Sequence, residues 1–101
     1  MMIILLLILA GQNLFSQAVE VRGVIKDAAG AAIIGATVLE KGTSTGTVTD
    51  LNGEFRLTLS NRNAVLQVSY IGFVSQEIPL AGQTFFNITM IELVSELSEV
   101  V

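Results

Sequence analysis

Cysteine, histidine and tryptophan are absent from this chain, and proline occurs once, at Pro79. Without Cys there are no disulfides, so the fold must be held by packing and backbone pairing wherever the chain resides. The lack of both His and Cys removes the usual zinc and haem ligands and leaves no conventional base to activate a Ser or Thr hydroxyl. Charge is sparse too: 14% of residues are charged, five basic against nine acidic, for a net charge of -4. This mild acidity argues against nucleic-acid binding, which calls for a basic stripe. Most of the acids fall at turns or on outward strand positions, where solvated surface explains them better than paired-carboxylate catalysis does. The expectation is a protein that is not an enzyme, with no catalytic residues, no metal and no cofactor.

Residues 1–19 carry no charge at all. The apolar run Met1–Ala10 passes through Gly11, Gln12 and Asn13 to Ser16-Gln17-Ala18. Such a run is too short to cross a bilayer core of about 30 Å as a helix and has the pattern of a secretory signal peptide. Residues 1–18 are therefore expected to be a signal peptide cleaved near Gln17 or Ala18, although no Lys or Arg precedes the apolar run.

The rest of the chain is organised around Thr49-Asp50-Leu51-Asn52-Gly53-Glu54-Phe55. Asn52-Gly53, with Asp50 before it and an alternating run after it, signals a β-hairpin. Gly53 supplies a positive φ, and Asp50 and Asn52 supply oxygens for the amides of the turn. After the turn Phe55, Leu57 and Leu59 point one way and Glu54, Arg56 and Thr58 the other, so this strand is buried on one face only.

Similar alternation predicts strands at residues 20–26, 36–41, 47–49, 64–70, 74–80 and 84–91. Gly23 weakens the first of these or marks a bulge, Ile71-Gly72-Phe73 reads as a bulge or sharp turn between paired strands, and Pro79 places its strand at a sheet edge; this strand or the one near Val21 is expected to be the edge that offers unpaired amides to a partner. The expected core is Val21, Ile25, Val38, Val48, Phe55, Leu57, Leu59, Leu66, Val68, Tyr70, Ile78, Leu80, Ile88 and Met90. No helical period follows the leader, so the domain at residues 19–91 is expected to be all-β, a Greek-key sandwich of about seven short strands. From Glu92 the pattern changes, and residues 92–101 read as a linker, a further strand or a short helix.

An ordered series of motifs carries a family resemblance. Val21-Arg22-Gly23-Val24-Ile25-Lys26-Asp27, Gly30, Ile34-Gly35-Ala36-Thr37-Val38, Lys41-Gly42-Thr43, the Thr49–Phe55 turn and Val68-Ser69-Tyr70-Ile71-Gly72-Phe73 resemble the carboxypeptidase regulatory-like domain. The resemblance implies a transthyretin-like or immunoglobulin-like sandwich and no peptidase activity. A leader, this domain and Leu97-Ser98-Glu99-Val100-Val101 together resemble the N-terminus of SusC/RagA-type TonB-linked outer-membrane receptors. That resemblance implies an exported chain on the periplasmic face of the outer membrane. It also implies a plug and a β-barrel that import oligosaccharides or peptides, of which this sequence would be a fragment, with the membrane reached only through the barrel. Ser98, Glu99, Val100 and Val101 are then either a TonB-box-like strand added to TonB or another periplasmic protein, or the first strand of the plug.

Other chemistry is weaker. Asp50-x-Asn52-Gly53 resembles the start of a calcium loop, but the later acidic ligand is not at the required spacing. Asn87-Ile88-Thr89 matches a glycosylation acceptor inside a strand and is assigned no role. A free-standing secreted carbohydrate-binding or adhesive sandwich is the alternative function; it requires exposed aromatics, for which Phe73 and one of the Phe85/Phe86 pair are available.

Overall fold

A computed structural model describes residues 18–94, so residues 1–17 of the signal peptide expected at 1–18, and the strand candidate Ser98–Val101, lie outside the described residues. Seven strands form in chain order: β1 (Val19–Asp27), β2 (Thr37–Glu40), β3 (Gly46–Val48), β4 (Glu54–Leu59), β5 (Val65–Ser69), β6 (Gln76–Pro79) and β7 (Phe85–Met90). They pair into a three-stranded sheet, β4-β1-β7, and a four-stranded sheet, β3-β2-β5-β6. The described residues contain no helix.

Side chains alternate across each strand, and the inner set of each sheet faces the other. From the first sheet come Val21, Ile25, Phe55, Leu57, Leu59, Phe86, Ile88 and Met90; from the second, Val38, Leu66, Val68 and Leu80, all buried. Ile33, Ala36 and Ala64 on the connections complete the core, with Tyr70, Phe73 and Ile78 half-buried against it.

The strongest local signal in the sequence makes a turn but not a paired hairpin. The Asp50 amide donates to the Glu54 carbonyl at 2.9 Å and the Gly53 amide to the Asp50 carbonyl at 3.0 Å, reversing the chain. Yet β3 pairs with β2 while β4 pairs with β1, so the turn carries the chain from one sheet to the other. Turn residues specify only the local reversal; the burial of two opposed faces decides where each strand finds its partner.

Three further expectations are corrected. Val48 is 58% exposed and not in the core, because the inward positions fall to the threonines on either side of it, Thr47 of β3, half-buried, and Thr49 just after it, buried. The strand around Val21 is central, flanked antiparallel by β4 and parallel by β7. Gly23 lies in an unbroken ladder, opposite Phe55 on one side and Phe86 on the other, with no bulge. Its hydrogen is what lets the Phe55 ring lie across the strand.

Thr49 locks the sheet connection. Its hydroxyl donates to the Ile33 carbonyl at 2.6 Å and accepts from the Ala36 amide at 2.9 Å, while its own amide and carbonyl bond to Ala36 and Gly35. Thr49→Val keeps the shape but strands a buried N–H and a buried C=O, and we expect it to cost about 2 kcal/mol in urea unfolding. A smaller effect of opposite sign is expected at Ala81, whose φ of +49° beside Gly82 at +81° makes a tight turn closed by the Gln83 amide and the Leu80 carbonyl at 2.8 Å. Asn tolerates this left-handed backbone better than Ala, so Ala81→Asn should raise stability by about 0.5–1 kcal/mol, read as a higher melting temperature.

Candidate interaction surface

The register gathers the turns of both sheets at one pole. Asp27 aligns with Met90, Ile25 is tied to Gly53 by a 2.8 Å backbone bond, and Thr37 aligns with both Val48 and Ser69. Two bonds tie the turns together there, the Gly35 amide to the Thr49 carbonyl at 3.0 Å and the Leu93 amide to the Gly72 carbonyl at 2.9 Å. This pole carries Ile34, Leu51, Ile71, Ile91, Leu93 and Val94, exposed by between 50% and 89%. Single exposed aliphatics are ordinary, whereas a cluster of them at one end makes this pole a candidate contact surface. The chain enters β1 at the opposite pole, where Val19 aligns with Leu59, and reaches Val94 at the apolar one.

Asp50, Asn52 and Gly53 sit at the same pole and act on the backbone. Asp50 Oδ1 accepts from the Asn52 amide at 2.9 Å and the Glu54 amide at 3.0 Å. Asn52 is exposed and contributes its amide rather than its side chain. Gly53 is buried at φ +73°, its carbonyl accepting from Ile25. Asp27 repeats the Asp50 device, its Oδ1 accepting from the amides of Ala29 and Ala31, both at 2.9 Å. No group of three or more acidic residues converges to hold a metal ion among the described residues.

Strand edges are the other feature. β6 is an edge, as Pro79 predicts. The Leu80 amide bonds to Ala64, so by alternation Glu77 and Pro79 turn their backbone outward, and proline brings no N–H to that margin. Farther along, the segment leading into β6 meets the end of β7: the Val74 amide donates to the Ile91 carbonyl at 2.8 Å and the Gln76 side-chain amide to the Thr89 carbonyl at 2.8 Å.

Sequence reasoning missed Glu40. It is 3% exposed, and its carboxylate accepts from the Ser60 amide at 3.2 Å and from the Ser60 hydroxyl, joining the end of β2 to the end of β4 across the two sheets. A buried carboxylate requires such donors, and the only signal in sequence was an acid where the alternation of β2 calls for an apolar residue. Among the described residues the aromatics do not form a platform: Phe85 is 54% exposed, whereas Phe73 is half-buried with its ring centroid 5.8 Å from that of Tyr70.

Two short sheets packed face to face, with edge strands and an apolar pole at the surface, define a small β-sandwich domain. The chain belongs to the CarboxypepD_reg-like domain family, whose model matches residues 21–101. It is 40% identical over 102 residues to the TonB-dependent receptor SusC of Bacteroides thetaiotaomicron, an alignment covering 97% of this chain and 10% of the receptor. TonB-dependent receptor P39 of Formosa agariphila is 40% identical over 89 residues, covering 88% of this chain and 8% of that protein. TonB-dependent receptor P3 of the same organism is 33% identical over 96 residues, covering 94% and 10%. The chain thus spans about a tenth of the length of these receptors.

Among solved structures, a type II cohesin–X–dockerin complex from Acetivibrio cellulolyticus aligns with a TM-score of 0.57 at 22% identity, over 70% of this chain and 56% of that one. A 3-chlorocatechol 1,2-dioxygenase from Rhodococcus opacus aligns at 0.52 and 13%, over 76% and 61%. At these identities the likeness is one of fold.

Proposed function

We propose that this chain is the N-terminal, periplasm-facing accessory domain of a TonB-dependent outer-membrane receptor, non-catalytic, exported by the leader at residues 1–18. The observation that carries the reading is the 40% identity to such a receptor over 97% of the chain. In this reading residues 19–91 are the domain and 92–101 lead into the plug, with Ser98, Glu99, Val100 and Val101 as the strand offered to TonB or to the plug itself. The barrel imports an oligosaccharide or peptide. The apolar pole around Ile71 and Leu93 faces the receptor body, because the chain reaches Val94 there and exposed aliphatics favour contact with protein over water.

Fractionated cells probed with an antibody against residues 19–91 should show an outer-membrane band many times the mass of this chain. A band of its own small size in the periplasm would remove the transporter reading. In the full receptor, Ile71→Asp should leave barrel insertion intact and slow nutrient uptake; unchanged uptake would show that the pole is not a contact.

A further inference from the structure

The outer face of the three-stranded sheet carries an arrangement that folding alone does not favour. Arg22 of β1 and Arg56 of β4 stand directly opposite in the antiparallel ladder. Since the Ile25 amide bonds to the Gly53 carbonyl, alternation makes 23/55 and 21/57 the bonded pairs and 22/56 a non-bonded pair, the kind that brings side chains closest. Like charges so placed destabilise a sheet. The chain has five basic residues and a net charge of -4, yet two of the five face each other. Arg22 meets only the exposed Glu20 carboxylate, at 3.5 Å, and Arg56 has no ion pair among the described residues. Phe85 of β7 lies in register with Arg22, so Arg56, Arg22 and Phe85 make one row across three strands.

This row lines a groove of about 430 Å³ that also takes in Val24, Val48, Asp50 and Glu54. Neither acid there neutralises the pair: Asp50 Oδ1 is committed to the turn amides, and Glu54 forms no ion pair among the described residues. β4 is also the edge of its sheet. Its residues 55, 57 and 59 bond to β1, so the backbone N–H and C=O groups of Arg56 and Thr58 turn outward, without partners among the described residues, whereas those of Glu54 are occupied by Asp50.

We propose that β4 is a docking edge for an extended acidic segment of a partner protein. The segment adds as a strand bonded to the backbone of Arg56 and Thr58, and a carboxylate on its outer face seats against the Arg56/Arg22 pair. Backbone pairing supplies the affinity of such an addition, and the arginines select the charge. The carboxylate turns a like-charge opposition into a bridged one, and arginine is the residue suited to hold it. The site stands on register and charge in this chain and does not depend on the receptor reading.

The test uses the full chain, isotopically labelled, titrated with the capped peptide Thr-Val-Thr-Glu-Thr-Val-Thr and with its counterpart carrying Lys in place of Glu. The Glu peptide should shift the backbone amides of Arg56 and Thr58 and the side-chain Nε–H signals of Arg22 and Arg56, binding about 5-fold or more tightly than the Lys peptide. Arg56→Glu should reverse that preference and leave thermal unfolding unchanged or raised, since an opposite-charge pair replaces a like-charge one. Equal binding of the two peptides, shifts confined to other strands, or a response to free glucuronate with none to either peptide would each overturn the proposal.

Discussion

Gly23→Ala is expected to be the most damaging single methyl that can be added to this domain, costing about 3 kcal/mol or more. A Cβ at residue 23 would lie 2.4 Å from Cε1 of the Phe55 ring and 2.6 Å from the backbone carbonyl oxygen of Phe86. One obstacle is a side chain and the other is main chain. The ring is buried and has little room to swing away, and the carbonyl belongs to β7, whose ladder with β1 would have to open. Urea denaturation should show a lower midpoint with an unchanged slope if the domain still folds, or no transition if it does not. Gly23→Ala combined with Phe55→Leu should recover part of the loss, because it relieves the ring contact and leaves the carbonyl contact in place. Full recovery would show that the ring alone sets the requirement for glycine.

Gly53→Ala should cost nearly as much for two separable reasons. The residue has φ +73°, where an L side chain is strained by about 1–2 kcal/mol. Its Cβ would also meet the Ile25 carbonyl oxygen at 2.6 Å and the Ala32 Cβ at 3.1 Å. That carbonyl accepts the Ile33 amide at 3.0 Å, so displacing it weakens a bond of the connector as well. Gly72 provides the control, with φ +86° and nothing within 4 Å of a built Cβ. Gly72→Ala therefore pays the conformational cost alone, and the difference between the two variants measures the steric part. We expect Gly53→Ala to lie about 1–2 kcal/mol below Gly72→Ala in unfolding free energy. Equal losses would mean that the turn relaxes freely around the methyl.

Strand existence was legible in the sequence because alternation along a half-buried strand is a local property. Phe55, Leu57 and Leu59 against Glu54, Arg56 and Thr58 needed no knowledge of partners, and the same holds for Leu66 and Val68. Where a strand is short the pattern fails: three residues of β3 cannot establish parity, and alternation places Val48 inward although it faces solvent. Glu40 was illegible for a different reason. An acid in a strand reads as an outward residue, and only the approach of Ser60 from another sheet gives its carboxylate the donors that make burial tolerable.

The sequence by itself determined that the described residues are all-β, where their turns fall, that Pro79 lies at a sheet edge, and, through its ordered motifs, which family the chain resembles. The first three depend on a handful of neighbouring residues whose backbone preferences and side-chain spacing act locally, whereas the family resemblance rests on the order of motifs spread from Val21 to Phe73. Only the tertiary structure decided that the Asp50–Gly53 turn joins two sheets, that β1 is central with β7 parallel beside it, and that Arg22 faces Arg56. Pairing of strands distant in sequence is chosen by which arrangement buries both inner faces at once. That choice is a property of the whole core and has no signature in any single stretch of the chain.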